Sequence, residues 1–142
     1  MQTSELNPAD LTLATDTIHN PGEARHFMKL KPVDRRVRVL REGHVLAETE
    51  KAVRLLELGR DFYDPTLYFR PEDVRARLVK TARSSHCPLK GDAVYFDLVD
   101  ENGTVLQPEI AWSYPEPFGF ASGLEGLIAF YGNQVTVEES PK

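Results

Sequence analysis

The sequence is poor in cysteine and has no long apolar run, and each absence excludes a class of protein. Cys87 is the only cysteine among 142 residues, so no intramolecular disulfide can form and paired CxxC zinc sites are excluded. No stretch approaches the roughly 18 apolar residues of a membrane-spanning helix, and no cationic segment followed by an apolar run opens the chain. We therefore expect a cytoplasmic protein that does not enter a membrane.

Motifs of the common enzyme classes are also missing. The sequence contains no GxxxxGK[ST], GxGxxG, GxSxG or HExxH pattern, so it does not predict a P-loop protein, a dinucleotide-binding protein, a serine hydrolase or a zincin. The chain has four histidines, His19, His26, His44 and His86. Their spacing is not that of metal ligands, and we expect no metal and no cofactor. The formal net charge of −5 disfavours nucleic acid as a partner.

The composition that remains is ordinary for a globular chain. It is 41% hydrophobic and 27% charged, which suffices for one core in a domain of this length. Many short apolar runs between turn residues predict a mainly β fold. Residues 93–99 are the best strand, and Asn102-Gly103 after them is a strong hairpin signal. Further expected elements are a hairpin of residues 37–40 with 45–47, a helical turn at 71–74, and a strand pair of 127–131 with 135–137.

The first part of the chain differs from the rest. Residues 1–35 are polar and contain several turn signals, and we expect a partly flexible arm with a short helix from about Gly22 to Met28. This arm is expected to pack on the domain or on a second copy of the chain in a homodimer. Residues 36–139 are predicted to form a single β-rich domain, and residues 140–142 a tail.

Cys87 is the first candidate for chemistry. It follows His86 and stands three residues before Lys90, and a nearby positive charge stabilises the thiolate that acts as a nucleophile. One hypothesis is therefore a catalytic Cys87 assisted by His86 and Lys90. The alternative is a buried structural cysteine in a loop made by Pro88 and Gly91, because adjacent side chains of an extended chain point apart and free cysteines are commonly buried.

Aromatic side chains form the second candidate group. Trp112, the only tryptophan, and Tyr114 are predicted to share one strand face, and two prolines follow them. Aromatic rings with polar tips beside a rigid loop suit the wall of a ligand pocket, and packing in the core is the alternative. Tyr131 belongs to an aromatic pair at a strand end, for which packing is the favoured interpretation.

Several segments, in this order, resemble the domain-of-unknown-function family four-two-seven. They are residues 68–74 (YFRPEDV), 86–95 (HCPLKGDAVY), 111–117 (AWSYPEP) and 128–131 (IAFY). The resemblance covers about residues 37–137. It implies a β-tent-like arrangement of small coiled antiparallel sheets with one or two short helices, similar to zinc-binding exchange-factor-like proteins and B-type methionine sulfoxide reductases. It also implies that residues 52–58, whose apolar spacing suits a helix at least as well, form a strand.

The family also carries a nucleotidyltransferase-type label, which these residues do not support. Nucleotidyltransferases hold magnesium with closely spaced carboxylates, often Asp-x-Asp after a Gly-Ser pair, and neither pattern occurs in this sequence. The paired cysteines of the zinc-binding relatives are absent as well, so their metal is not carried over. Likeness of fold does not by itself transfer function.

The first functional hypothesis is a small-molecule-binding domain with an aromatic pocket for a small anionic or planar ligand. Lys90 and His86 would be the polar anchors of this ligand. The aromatic residues of the pocket would be Tyr68, Tyr95, Trp112, Tyr114 and Tyr131. The alternatives are an enzyme that uses Cys87 as nucleophile or redox residue, a nucleotidyltransferase by label only, and a structural protein that oligomerises through its arm.

Overall fold

The computed structural model describes residues 15–142, which form eleven strands and two short 3-10 helices. Residues 1–14 of the predicted arm lie outside the described residues. The strands are β1 (Ile18–Asn20), β2 (Glu23–Pro32), β3 (Arg36–Arg41), β4 (His44–Thr49), β5 (Val53–Leu58), β6 (Thr66–Phe69), β7 (Leu78–Cys87), β8 (Gly91–Val99), β9 (Val105–Pro117), β10 (Ile128–Phe130) and β11 (Thr136–Ser140). The 3-10 helices are Pro71–Asp73 and Gly119–Leu124.

The strands pair antiparallel in two sheets. The larger sheet has the order β1-β2-β5-β6-β10-β9-β8-β7, and the smaller has the order β11-β3-β4. This arrangement confirms the prediction of a mainly β fold, whereas the likeness to a β-tent stays a prediction. Within residues 15–142, no helix has the length and apolar character needed to cross a membrane.

Each face of the larger sheet contributes to a core, because residues along a strand alternate between the two faces. In β6 the neighbours Tyr68 and Phe69 are both buried. Phe69 belongs to a core cluster shared with Val37 and Val39 of the smaller sheet. Tyr68 belongs to a second cluster, together with Met28 of β2, and the larger sheet curls around this second cluster. Burying each such side chain stabilises the fold by about 1.5–3 kcal/mol.

The short helix expected from Gly22 to Met28 is wrong, because this segment enters β2. Leu30 lies opposite Leu55 in the ladder between β2 and β5, and Met28 is fully buried in the second cluster. An extended backbone is needed to place both side chains on one face, and this tertiary packing outweighs local helix propensity. The larger sheet therefore includes residues 18–32 of the predicted arm, apart from the turn between β1 and β2.

The predicted pairing of residues 127–131 with 135–137 is also wrong. β10 lies between β6 and β9 in the larger sheet, whereas β11 pairs with β3 in the smaller one. The chain between them crosses from one sheet to the other instead of forming a hairpin. Other expectations are confirmed: β3 and β4 form the first hairpin, β5 is the strand that the resemblance implied, and Pro71–Asp73 is a helical turn.

Candidate functional site

The turn between β7 and β8 places Lys90 inside the protein. The Lys90 backbone N–H donates to the Cys87 carbonyl at 3.3 Å, and the Lys90 carbonyl accepts from the Phe118 N–H at 3.0 Å. Gly91 follows with a φ of +115°, and a Cβ there would lie 3.3 Å from Pro117 Cα. Glycine alone suits this conformation and this close approach. The turn thereby holds Lys90 with 7% of its surface exposed.

Lys90 forms a buried ion pair with Glu57 of β5. Its Nζ lies 2.5 Å from Glu57 Oε1, and the two side chains are 8% and 13% exposed. Glu57 points inward because it continues the alternation of Val53 and Leu55, which contact the second cluster. Desolvation of the two charges costs several kcal/mol per ion, and only close geometry with further hydrogen bonds offsets it. The Tyr114 ring centroid lies 5.9 Å from Nζ and adds a cation-π contact.

His26 contacts the second carboxylate oxygen of Glu57. Its Nε2 is 2.7 Å from Oε2, and its Nδ1 is 3.2 Å from Asn20 Nδ2. The Gly22 N–H donates to Asn20 Oδ1 at 2.9 Å, which orients the amide with Nδ2 toward the histidine. An amide nitrogen donates and does not accept, so Nδ1 is the acceptor and Nε2 carries the proton. The hydrogen bonds thus assign the Nε2–H tautomer to His26, which donates to the Glu57 carboxylate.

A cleft of about 830 Å³ opens beside His26. Its lining residues come from β1, β2, the segment after β5 and the turn after β7, and they are Asn20, Glu23, Arg25, His26, Gly59, Arg60, Tyr63 and Pro88. Gly59 lets two rings approach the backbone, because a Cβ there would lie 3.0 Å from His26 Cδ2 and 3.4 Å from Tyr63 Cε2. A row of four hydrogen-bonded polar residues therefore connects the cleft wall with the interior. We call it the polar chain, and it consists of Asn20, His26, Glu57 and Lys90.

Cys87 lies at the inner end of the polar chain. Its Sγ is 3.9 Å from Lys90 Nζ, and the residue is partly exposed. His86 points elsewhere: its Nδ1 is 2.8 Å from Asp92 Oδ1, and its ring is edge-on to Phe118 with centroids 5.8 Å apart. Neighbouring residues of a strand point to opposite faces. The structure consequently brings Lys90 to Cys87 and turns His86 away from it.

The aromatic residues of the predicted pocket are packed in the second cluster. Tyr68, Tyr95 and Tyr114 are 1%, 7% and 8% exposed. Trp112 is partly buried, its Nε1 donates to Tyr68 Oη at 3.2 Å, and its ring centroid lies 4.6 Å from that of Tyr131. All five stand outside the lining of the cleft. Their contact with a ligand stays a prediction.

Burial also acts on the tyrosine hydroxyls. Desolvation raises the pKa of Tyr68 and of Tyr114 above the usual value, so both hydroxyls stay protonated at neutral pH. The Tyr95 hydroxyl lies 2.7 Å from Ser85 Oγ, and the Arg83 guanidinium lies 4.1 Å from the Tyr95 ring centroid. These two contacts hold the Tyr95 ring in the second cluster.

Sequence reasoning missed three members of the polar chain, Asn20, His26 and Glu57. One signal was available for Glu57, because an acid that continues the inward alternation of an apolar strand is not a surface acid. That signal depends on treating residues 52–58 as a strand. No comparable signal marked His26, since it lies 31 residues from Glu57 in the sequence and meets it only through the pairing of β2 with β5.

A family model matches most of the chain. It is described as Domain of unknown function (DUF427) and matches residues 29–140, which confirms the resemblance seen in the sequence. The matched part contains Glu57, Cys87 and Lys90, and it begins after Asn20 and His26. No curated protein matches the chain.

Breaking the buried ion pair from one side is expected to destabilise the fold. We expect Glu57→Gln and Lys90→Met each to lower the free energy of unfolding by about 3 kcal/mol, because each leaves one buried charged group without its counter-charge. The double variant should lose less than the sum of the two single variants, since the two residues interact directly. Urea unfolding of the four proteins measures these differences.

An exposed ion pair supplies the matched control for this experiment. The Arg36 and Glu50 side chains are 50% and 47% exposed and lie 3.2 Å apart. Glu50→Gln should therefore change the free energy of unfolding by less than about 1 kcal/mol. If Glu57→Gln were no more destabilising than Glu50→Gln, the Lys90–Glu57 contact would not have the structural role assigned to it.

The histidines of β1 and β2 should adopt opposite tautomers. His26 is expected as Nε2–H, whereas His19 Nδ1 donates to the Ala24 carbonyl at 2.9 Å, which leaves His19 Nε2 to accept from the Thr17 hydroxyl at 2.8 Å. Long-range proton–nitrogen NMR spectra at about pH 8, above the ordinary titration range of histidine, distinguish the two forms. Asn20→Leu should remove the preference at His26 alone. The same tautomer at both positions would refute the assignment.

Proposed function

The chain belongs to the DUF427 family, a domain of unknown function, and we propose that it binds a small molecule in the cleft beside His26. The observation that carries the proposal is the buried Lys90–Glu57 ion pair, which the polar chain extends to the cleft wall. Well-packed apolar residues would serve stability equally well at such a position. The buried charges are therefore better explained by a role at the cleft.

The cleft has the size and the lining of a ligand site. Its volume of about 830 Å³ lies within the roughly 300–1,000 Å³ that is typical of small-molecule pockets. Tyr63 and Pro88 offer apolar surface, and Asn20 and Arg60 offer hydrogen-bond donors. Apolar walls with a few polar groups are what hold and orient a small molecule.

In this proposal the aromatic side chains support the site from the interior. Tyr114 contacts Lys90 through its ring, and Tyr68 and Trp112 are joined by a hydrogen bond in the same cluster. These rings exclude water from the ion pair, and a lower local dielectric strengthens its attraction. The hypothesis of an aromatic pocket thus becomes one of a polar cleft in front of an aromatic core.

The nucleotidyltransferase label gains no support from the arrangement of side chains. Among the residues from 15 to 142, no three histidine, cysteine, aspartate or glutamate side chains are grouped so that they could hold a metal ion. Metal-assisted transfer of a phosphoryl-type group needs carboxylates that position the metal beside the phosphates. The proposal therefore contains no step through a metal.

Ligand binding at the cleft is tested by a thermal-shift screen of metabolites and by two neighbouring variants. A ligand at about 100 times its Kd adds roughly 2.7 kcal/mol of stability, which is several degrees in a domain of this size. Tyr63→Ala should weaken the binding of a ligand found in this way by about tenfold, because it removes an aromatic wall. Phe62→Ala is the control, since Phe62 is 82% exposed and outside the cleft lining.

The two variants also decide where a ligand binds. Both side chains are exposed, so melting without ligand should change little in either variant, and a drop in affinity then reports on contact and not on folding. A loss confined to Tyr63→Ala supports the cleft. Ligands whose affinity is the same in Tyr63→Ala as in the unaltered protein would show that binding occurs elsewhere on the chain.

A second candidate is an enzyme with Cys87 as nucleophile or redox residue, and one contact favours it. Lys90 Nζ lies 3.9 Å from Cys87 Sγ, and an ammonium group near a thiol stabilises the thiolate. We expect Cys87 of the native protein to displace iodide from iodoacetamide at neutral pH faster than the same cysteine in urea-unfolded protein. Mass spectrometry measures both rates, and a slower reaction in the native protein would mark Cys87 as structural.

A further inference from the structure

We infer that the cleft selects an anionic ligand with a planar group, in which Arg60 binds the anion and Tyr63 stacks on the plane. The inference rests on the proposed function, because it names the class of molecule that the same cleft takes. Two separate features carry it. One is the balance of charges in the cleft lining, and the other is the placement of the Tyr63 ring.

Two of the charged residues that line the cleft neutralise each other. Arg25 Nε and Nη2 lie 2.8 Å and 3.0 Å from the two carboxylate oxygens of Glu23. Hydrogen bonds from the Arg25 side chain and backbone lower the pKa of Glu23 to about 2, so Glu23 is ionised in neutral solution. The charges of Glu23 and Arg25 are therefore matched, and this pair leaves no net charge for a ligand.

Arg60 supplies a positive charge that is not matched in the same way. Its exposed side chain forms no ion pair with any residue of the described range 15–142. Along the chain the nearest acids are Asp61, Glu57 and Asp64, and none of them lines the cleft. Glu57 is paired with Lys90, and Asp61 Oδ1 accepts from the Phe62 N–H at 2.7 Å.

The residues that line the cleft therefore have an excess of positive formal charge, although the chain as a whole is acidic. The lining has two arginines against one glutamate, whereas the whole chain has a formal net charge of −5. Screening over about 10 Å at 0.1 M salt confines the attraction to the neighbourhood of the cleft. The guanidinium of Arg60 presents a planar fork of donors, which matches the oxygens of a carboxylate or a phosphate.

The Tyr63 ring is available for stacking. Its backbone N–H donates to the Glu57 carbonyl at 3.2 Å, which folds residues 59–63 back toward the end of β5, and 47% of Tyr63 remains exposed. Because Gly59 has no side chain, the ring comes within van der Waals distance of the place where a Cβ would stand. A tyrosine ring loses little conformational entropy when a planar ligand group covers it.

Two matched sets of probes distinguish the contribution of the anionic group to binding from that of the planar ring. The first set is adenosine monophosphate, adenosine and ribose phosphate, and the second is benzoate, benzyl alcohol and acetate. In each set the first probe has both a planar ring and an anionic group. The second probe has the planar ring alone, and the third has the anionic group alone. Backbone amide NMR titrations of the full chain give each Kd, and shifts at His26 and residues 59–63 report binding in the cleft.

We expect the complete probe of at least one set to bind in the cleft roughly tenfold more tightly than its uncharged counterpart, as one charge-assisted hydrogen bond would produce. Arg60→Gln should abolish this difference. Arg35→Gln, which alters an exposed arginine beyond the other end of β2, should preserve it. Tyr63→Ala should weaken the binding of the probe that has both groups, and it should leave the binding of the probe that has only the anionic group unchanged. Binding of the first set alone identifies a phosphate ligand, and binding of the second alone identifies a carboxylate.

The outcomes separate this inference from the proposed function. If adenosine or benzyl alcohol bound in the cleft as tightly as the charged probes, and Arg60→Gln had no effect, the anionic class would be overturned while small-molecule binding remained. If none of the six probes shifted the amides of His26 and residues 59–63, the anionic planar class would be contradicted, and the thermal-shift screen with the Tyr63→Ala and Phe62→Ala variants would decide the proposed function separately. Equal melting temperatures of Arg60→Gln and Arg35→Gln would show that the two variants are equally well folded.

Discussion

The contact between Lys90 and Glu57 is the constraint on which the shape of the larger sheet depends. In the strand order, β6, β10 and β9 separate β5 from β8. At roughly 4.8 Å per strand, a flat sheet would place β5 and β8 about 19 Å apart. Lys90 Nζ and Glu57 Oε1 are nevertheless 2.5 Å apart. Lys90 stands in the turn before β8, and the two extended side chains span part of this separation. Curling of the sheet, with the face that contains Tyr68 on the inside, closes the rest, and sheet twist and bulges provide this curvature.

This curl explains why a charged pair and an aromatic cluster occupy the same interior. The space inside a curled sheet is filled by large side chains such as Tyr68, Tyr95 and Tyr114, which exclude water. A buried pair then costs desolvation energy, and the independent core between the two sheets, which includes Phe69 and Val37, supplies stability that does not depend on it. The polar chain continues from this interior to a cleft, so the structure joins a buried charge to an accessible surface.

The predictions from sequence were best where the signal was local. The apolar alternation of β8 and the turn residues after β3 were enough to locate strands and hairpins, because these patterns act over a few neighbouring residues. The segment from Gly22 to Met28 was misjudged because its local preference is weak and its pairing with β5 decides its conformation. The segments that became β10 and β11 look like one hairpin locally, but each finds a better partner in a different sheet.

The sequence by itself determined a mainly β domain and the nearness of Cys87 to Lys90, because a short turn with Pro88 and Gly91 allows few other arrangements. For His86 it left two arrangements open, a role beside Cys87 or a side chain that points away from it through the alternation of an extended chain. Only the tertiary structure decided that Glu57 and His26 join Lys90 and that a cleft opens beside them. Strand order, register and curl are properties of the whole sheet, and they bring together residues that no local pattern connects.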